Sequence, residues 1–191
     1  MSILAIIGGG SSYTPELLSG FIQTPLEGLS VRLYDLNQDR LSAVVGFCQR
    51  MAKKQGVDLS IEGTSTLEEC LDGADFVVVQ LRVGGQEQRH HDIRMGLDRG
   101  LIGQETTGVG GMAKALRTLP VMLEIAHKME ELCPHAWLIN FTNPAGLITE
   151  GLFRFGRKKV VGLCNVPIEM QMDLSEYFNV DPQEMDLDWV G

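Results

Sequence analysis

Apolar residues form two kinds of pattern along this chain: short continuous runs, and longer segments in which they recur every three or four positions. A short apolar run that ends in polar or glycine residues is typical of a strand covered on both faces of a sheet. Such runs predict strands at residues 3–7, 31–35, 74–81, 136–141 and 159–163, with a weaker one at 59–62.

Between these runs the apolar period changes to that of an amphipathic helix. Asn37 is a suitable N-cap for a helix over residues 39–55 that Gly56 would end, and Pro120 lies inside the longest helical segment, residues 112–132. Shorter helices are predicted over residues 16–23, from residue 66 and over residues 168–178. Strands that alternate with helices predict an α/β protein with a doubly wound, mostly parallel sheet of the Rossmann-like type.

The alternation stops between residues 82 and 111, where glycine, arginine and histidine are frequent and no period is evident. A loop of this length inside a compact domain is uncommon unless it has a function, so we expect a functional loop here. At the end of the chain, residues 186–191 predict the beginning of a further strand.

Composition and charge narrow the range of functions. With 191 residues, 44% of them hydrophobic and 21% charged, the chain is long enough for one well-buried domain of an ordinary globular protein. A net charge of −9 argues against nucleic-acid binding, which needs a basic surface, and no apolar run reaches membrane-spanning length. The cysteines lack the spacing of a metal knuckle or a disulfide framework, which favours reduced thiols and a cytoplasmic location.

The first predicted strand runs directly into a glycine turn, formed by Gly8, Gly9, Gly10 and Ser11. A strand, a glycine turn and a helix N-terminus cradle a pyrophosphate, because glycines let the backbone approach and the helix offers its positive dipole end. The second strand ends in Asp35, a carboxylate placed to bind ribose hydroxyls and to repel a 2′-phosphate. The pattern predicts a dinucleotide site that favours NAD. Because Tyr13 stands where the full fingerprint has a third glycine, a plain tight βα connection is the alternative.

Polar and reactive side chains also follow the later strands, at the edge where an open parallel sheet binds its ligands. They are Arg82, Asn143, Cys164 and Asn165. Cys164 could ligate a divalent metal as a thiolate, or it could be one more small buried hydrophobe. We expect the other cysteines to be small buried hydrophobes; they are Cys48, Cys70 and Cys133.

The irregular segment supplies further candidates. Arg82, Arg89 and Arg94 could form an anion clamp, since the guanidinium fork matches phosphate oxygens, or they could be ordinary surface arginines. Glu105 is either a buried functional acid or a charge near the start of the long helix. Asn143 is either a turn signal before its proline or an amide that orients a substrate hydroxyl.

Five motifs together resemble family 4 of the glycoside hydrolases, most of all its members that act on 6-phospho-β-glucosides. They are Gly8-Gly9-Gly10-Ser11 with Tyr13-Thr14-Pro15, Arg82-Val83-Gly84-Gly85, Gly103-Gln104-Glu105-Thr106-Thr107-Gly108, Ile139-Asn140-Phe141-Thr142-Asn143-Pro144-Ala145-Gly146 and Gly162-Leu163-Cys164-Asn165. The last three, in this order, are highly specific. The resemblance implies hydrolysis that depends on NAD and on a divalent metal, Mn²⁺, through oxidation, elimination, addition of water and reduction.

The resemblance also implies a role for each matching residue. It implies NAD binding by Gly8, Gly9, Gly10, Ser11 and Asp35. It further implies sugar contacts for Asn143 and Asn165, a phosphate contact for Arg89, a metal ligand in Cys164 and a catalytic acid in Glu105. The implied substrate is a phosphorylated disaccharide or an aryl 6-phospho-β-glucoside. The full-length protein is expected to be a homo-oligomer with no nucleic-acid or membrane partner.

For the domains, the resemblance implies a dinucleotide-binding domain over residues 1–165 and the beginning of a second, substrate- and metal-binding domain over residues 166–191. The residues that follow Arg89 depart from the family pattern, and the family's histidine metal ligand and tyrosine base would lie beyond residue 191. We therefore expect this chain to bind NAD and to lack glycosidase activity by itself.

Two other interpretations stay open on the residues alone. A 2-hydroxy-acid dehydrogenase of the lactate/malate type would share the fold and an asparagine–proline turn. Its Asp-x-x-Arg…His arrangement is not evident, however, and Cys164 with Asn165 would have no task in it. A non-catalytic nucleotide-binding module is compatible with the short chain.

Overall fold

The computed structural model describes residues 2–188. Its strands are β1 Ser2–Ile7, β2 Leu29–Tyr34, β3 Ser60–Gly63, β4 Phe76–Val79, β5 Trp137–Asn140 and β6 Val160–Gly162. Its helices are α1 Tyr13–Gln23, α2 Gln38–Gln55, α3 Leu67–Leu71, α4 Gly85–Leu97, α5 Gly108–Leu132, α6 Ala145–Arg154 and α7 Val166–Phe178, followed by a 3-10 turn at Pro182–Glu184.

The strands form one sheet in the order β3-β2-β1-β4-β5-β6, and every neighbouring pair is parallel. The chain moves outward from β1 to β3 on one side and then returns to place β4 on the other side of β1. This reversal opens a crevice at the carboxyl ends of β1 and β4, where open α/β sheets bind ligands. The predicted doubly wound α/β fold is confirmed.

The hydrophobic core lies on both faces of this sheet. Along β1, Leu4 and Ile6 pack toward α1 and α2, whereas Ala5 and Ile7 pack toward α3, α5 and α6. Successive side chains of a strand point to opposite faces, so a strand covered on both faces must be apolar throughout. This is the physical reason for the continuous apolar runs in the sequence.

The predicted functional loop over residues 82–111 is wrong where α4 forms, at Gly85–Leu97. The buried residues of α4 are Asp92 and Gly96, so the helix has no apolar stripe that periodicity could detect. An ion pair attaches it to α5 instead: Arg117 Nη2 lies 2.5 Å from Asp92 Oδ2, and Asp92 is 3% exposed. Helix α6 was not predicted either, because its buried Ile148 and Leu152 give an apolar signal only one turn long.

The chain beyond β6 differs from the rest. Ser175 is the buried residue of α7, and the side chains of Ile168 and Phe178 are more than half exposed. The strand predicted over residues 186–191 does not form at residues 186–188, and its remaining positions lie outside the described residues. Within residues 2–188, no helix combines the length and the hydropathy needed to cross a membrane.

Candidate functional site

The turn between β1 and α1 is packed so closely that its glycines have no room for side chains. A Cβ on Gly8 would lie 2.5 Å from the carbonyl oxygen of Gln80, and Gly8 also has a φ of +87°. A Cβ on Gly9 would lie 2.8 Å from the Cβ of Leu33. The backbone of this turn therefore fits between the ends of β2 and β4, and the start of α1 follows directly.

Asp35 fixes the same turn to the end of β2. Its Oδ2 accepts a hydrogen bond from the backbone N–H of Gly10 at 3.0 Å, and its Oδ1 accepts one from Asn37 at 2.9 Å. A Cβ on Gly10 would lie 2.9 Å from Asp35 Oδ2, so a side chain there would push the carboxylate away. Arg40 Nη2 lies 3.8 Å from the same oxygen.

A groove of about 930 Å³ runs along the carboxyl ends of β1, β2, β4, β5 and β6. Its lining brings together seven of the predicted site residues: Gly8, Gly10, Ser11, Asp35, Asn143, Cys164 and Asn165. Gly9, Arg89 and Glu105 are not part of the lining. Glu105 nevertheless contacts Arg82 and Lys114, which do line the groove.

Glu105 lies at the centre of an ion-pair cluster. Its Oε1 lies 2.5 Å from Arg82 Nη1 and 2.5 Å from Lys114 Nζ, and its Oε2 lies 2.8 Å from Arg89 Nε. The three cations come from the end of β4, from α4 and from α5. One carboxylate therefore joins three elements and fixes Arg89, the arginine predicted to contact a phosphate.

This cluster determines the charge states of its members. Burial by itself would raise the pKa of Glu105, yet hydrogen bonds and attraction from Lys114 and Arg82 bring it below the ordinary value. Burial lowers the pKa of Lys114, and repulsion by Arg82 and Arg89 acts in the same direction against the attraction of Glu105. Since one anion is shared by three cations, Glu105 is held as a carboxylate in this structure. Its predicted role as a catalytic acid stays a prediction.

Asn140 and Thr142 hold the turn that carries Asn143. Asn140 Oδ1 accepts a hydrogen bond from the backbone N–H of Thr142 at 2.9 Å, and Asn140 Nδ2 donates to the carbonyl oxygen of Ala145 at 3.3 Å. The Thr142 hydroxyl donates to the carbonyl oxygen of Val79, so the turn is attached to β4 as well as to β5. These buried contacts place Asn143 at the groove.

Cys164 and Asn165 follow β6 at the far side of the groove. Cys164 is a free, exposed thiol, and Asn165 Nδ2 donates to Glu169 Oε1 at 2.5 Å. Residues 2–188 contain no group of three or more His, Cys, Asp or Glu side chains that could hold a metal ion. The described residues therefore offer a metal one thiol at this place and not a complete set of ligands.

The other cysteines are buried, as the sequence predicts. Burial raises the pKa of Cys48 to about 11 and that of Cys70 to about 12, so both thiols stay protonated at neutral pH. Burial also raises the pKa of Cys133.

Two residues that shape the site, Lys114 and Gln80, were not predicted from the sequence. Lys114 lies on a buried stripe of α5 with Gly110, Thr118 and Met122, a helical spacing that would have identified a lysine at a core position. Gln80 interrupts the mostly apolar run of residues 74–81, and its Nε2 donates to Thr14 Oγ1 at 2.7 Å and to the Gly8 carbonyl oxygen at 3.3 Å. Both are polar residues at positions where the pattern calls for an apolar one.

A family profile described as "Family 4 glycosyl hydrolase" matches residues 3–180. The chain is 48% identical over 194 residues to a probable 6-phospho-beta-glucosidase of Bacillus subtilis (strain 168), covering 98% of this chain and 44% of that protein. It is 44% identical over 191 residues to a 6-phospho-beta-glucosidase of Escherichia coli (strain K12), covering 97% and 42% of the two chains.

Solved structures are similar over the same span. The 6-phospho-beta glucosidase from Thermotoga maritima, in a structure with manganese, NAD+ and glucose-6-phosphate, matches with a TM-score of 0.91 at 37% identity. The match covers 98% of this chain and 46% of that one. The chain thus spans less than half the length of each of these three proteins.

The fold alone does not separate the interpretations left open by the residues. Malate dehydrogenase from Plasmodium falciparum matches with a TM-score of 0.69, but its 16% identity shows a shared fold and nothing more. The family match over residues 3–180 favours the glycosidase interpretation over the dehydrogenase and over the non-catalytic module.

Proposed function

The chain belongs to family 4 of the glycosyl hydrolases, as its five motifs predicted, and on this premise we propose that it is the NAD-binding part of a 6-phospho-β-glucosidase. One observation carries the proposal: the glycine turn and Asp35 lie together on a groove at the point where the strand order reverses. The names of the two relatives above, a probable 6-phospho-beta-glucosidase and a 6-phospho-beta-glucosidase, support the β-linked substrate class.

The described residues fit a dinucleotide. Gly8 and Gly10 line the groove with backbone that has no room for a Cβ, so a pyrophosphate would approach the main chain directly. The N-terminus of α1 directs its positive dipole end to the same place. Each Asp35 oxygen accepts one backbone hydrogen bond and keeps a further lone pair for a ribose hydroxyl. Ser11 lies beside Gly10 on the lining, and we propose that its hydroxyl contacts the phosphates.

When bound, NAD supplies a temporary hydride acceptor and a divalent metal supplies a Lewis acid. Cys164 is the residue that we propose as a metal ligand, and Mn²⁺ is proposed because a similar structure holds manganese. The described residues do not complete a metal site, so no chemical step is assigned to the metal within them.

For the substrate, we propose a phosphorylated disaccharide or an aryl 6-phospho-β-glucoside. Asn143 and Asn165 line the groove, where their amides would orient sugar hydroxyls. Arg89 would bind the 6-phosphate, and Glu105 would keep its guanidinium in position until the phosphate arrives.

The proposed domain boundary is near residue 165. The two hydrophobic clusters of the sheet include partly buried residues up to Val160 and none from α7, which supports assigning residues 1–165 to the cofactor domain. Residues 166–191 would then begin the substrate- and metal-binding domain. We propose a homo-oligomer for the whole protein.

Titration of the chain with NADH, followed by nucleotide fluorescence, tests the proposed function. The unaltered chain should bind NADH, and Gly10→Ala should weaken binding by about tenfold or more, because the added methyl group displaces Asp35 and enters the cradle. Gly20→Ala is the matched control: it lies on α1, and a Cβ there meets no atom within 4 Å.

A folded chain that does not bind NADH would contradict the proposal. Equal affinities for Gly10→Ala and Gly20→Ala would contradict the placement of the pyrophosphate at the glycine turn.

A further inference from the structure

We propose that Gln80 is a positioning residue for the cofactor: its side-chain amide joins the glycine turn to the first turn of α1 and so fixes the backbone that receives the pyrophosphate. The inference rests on the proposed function and adds a residue that acts on the ligand only through the main chain. It assigns a task to a polar side chain that directly follows β4.

The Gln80 amide uses both of its N–H donors within the protein. Its Nε2 lies 2.7 Å from Thr14 Oγ1 and 3.3 Å from the carbonyl oxygen of Gly8. A primary amide carries two donor hydrogens, so neither of them is left for a ligand. Although Gln80 lines the groove, its amide nitrogen therefore acts on the turn and not on the nucleotide.

The two acceptors belong to the two parts of the βα turn that would hold a pyrophosphate. Gly8 is the first residue of the glycine turn, whereas Thr14 is the second residue of α1 and is completely buried. A dinucleotide fold binds its pyrophosphate through the glycine backbone and the helix N-terminus together. One side chain from the end of β4 thus sets the spacing between these two features.

The contact also occupies the carbonyl oxygen of Gly8. A carbonyl oxygen is the negative end of the peptide dipole, so a free one in the turn would repel a phosphate. Here the oxygen accepts hydrogen bonds from the Ser11 N–H at 3.0 Å and from Gln80 Nε2, which matches its two lone pairs. Loss of the Gln80 amide would remove one of the two donors.

Gln80 holds the side of the turn that faces β4, and β2 holds the other side. The N–H groups of Gly8 and Gly9 both donate to the carbonyl oxygen of Tyr34, at 2.9 and 2.8 Å. The backbone N–H of Gln80 donates to the carbonyl oxygen of Ile7 at 3.0 Å, and its side chain extends this connection into the turn. Removal of the amide should therefore loosen one side of the turn and leave its attachment to β2 intact.

Isothermal titration calorimetry with NADH and with ADP-ribose tests the inference. Gln80→Met keeps a linear side chain of similar length and removes the amide. It should weaken both ligands by about tenfold, because both contain the pyrophosphate. Gln49→Met is the matched control, since Gln49 Nε2 also donates to a backbone carbonyl oxygen, that of Ile61 at 2.8 Å, but lies outside the groove lining. The control should leave both affinities unchanged.

Thr14 supplies a second test of the same contact. Thr14→Val keeps the shape of the side chain and removes the acceptor oxygen, so it should weaken both ligands by about threefold. Thr14→Ser keeps the oxygen and should retain more affinity than Thr14→Val. In the double variant of Gln80→Met with Thr14→Val the losses should not add, because both changes remove one hydrogen bond. Additive losses would overturn the inference.

The other outcomes separate this inference from the function on which it rests. If Gln80→Met binds both ligands as the unaltered chain does, or weakens NADH alone, the inference is overturned and the proposed function stands. If Gln49→Met weakens both ligands as much as Gln80→Met does, the effect reflects lost stability and the inference is again overturned. A folded, unaltered chain that binds neither ligand would overturn both.

Discussion

Replacement of Glu105 by alanine should destabilise the chain by about 3 kcal/mol, because removal of one partner of a buried ion pair leaves a buried charge uncompensated. The side chain of Lys114 is 4% exposed and shares Glu105 Oε1 with Arg82. Without the carboxylate, three cations would face one another, and the ion pairs that join Arg82, Arg89 and Lys114 through Glu105 would be lost. Urea denaturation at neutral pH measures the change.

An exposed ion pair is the control for this effect. Glu150 and Arg154 lie four residues apart on α6, with side chains 57% and 75% exposed, so Glu150→Ala should cost less than about 0.5 kcal/mol. Adding Lys114→Met to Glu105→Ala should restore part of the lost stability, since it removes the unpaired ammonium. If Glu105→Ala and Glu150→Ala lower the free energy of unfolding by the same amount, the cluster around Glu105 stabilises the chain no more than an exposed ion pair does.

The same cluster makes stability depend on pH in a definite direction. The pKa of Glu105 in the folded chain lies below its ordinary value of 4.5. Its contribution is therefore fully present above that value and is lost as the pH falls through the folded-state pKa. The difference in stability between the unaltered chain and Glu105→Gln should accordingly be constant near neutral pH and shrink below pH 4.5.

Gly8→Ala should destabilise the chain by about 3 kcal/mol, through two separate costs. A left-handed backbone costs a residue with a Cβ about 1–2 kcal/mol, and forcing atoms into packed space typically adds about 1–3 kcal/mol. At Gly8 the φ is +87°, and the added Cβ would meet a backbone oxygen, which cannot move aside as a flexible side chain can.

Gly73→Ala separates the two costs. Gly73 has a φ of +65°, and a Cβ there meets nothing within 4 Å, so only the conformational cost of about 1–2 kcal/mol should appear. Thermal or urea unfolding measures both variants. If Gly8→Ala costs no more than Gly73→Ala, the close packing of the turn against Gln80 is refuted.

The sheet was predictable because its signals are local. A strand with two covered faces must be apolar along its whole length, and the polar residues where such runs stop mark one edge of the sheet. Asp35, Asn143 and Cys164 were found in this way, and the structure brings all three to the groove. The roles of these residues depend on ligands, and they stay predictions.

The missed features depend on contacts between residues distant in the chain. Helix α4 is held by Asp92 and Arg117, which are 25 positions apart, and no window along α4 contains that information. The burial of Lys114 depends on Glu105, which lies in the connection before α5. Apolar residues recur periodically where a helix or strand packs against the core. Ion pairs between separate elements produce no such periodicity, so the sequence pattern does not reveal them.

The difference in exposure between Cys164 and the other cysteines makes Cys164 a site for selective chemical labelling. Cys164 is exposed on the groove, whereas Cys48, Cys70 and Cys133 are buried with raised pKa values. Alkylating reagents attack accessible thiolates, so a maleimide dye should label the folded chain at one sulfur without any engineering. A dye at that position would lie at the edge of the groove, so a change in its fluorescence would report the binding of a ligand there.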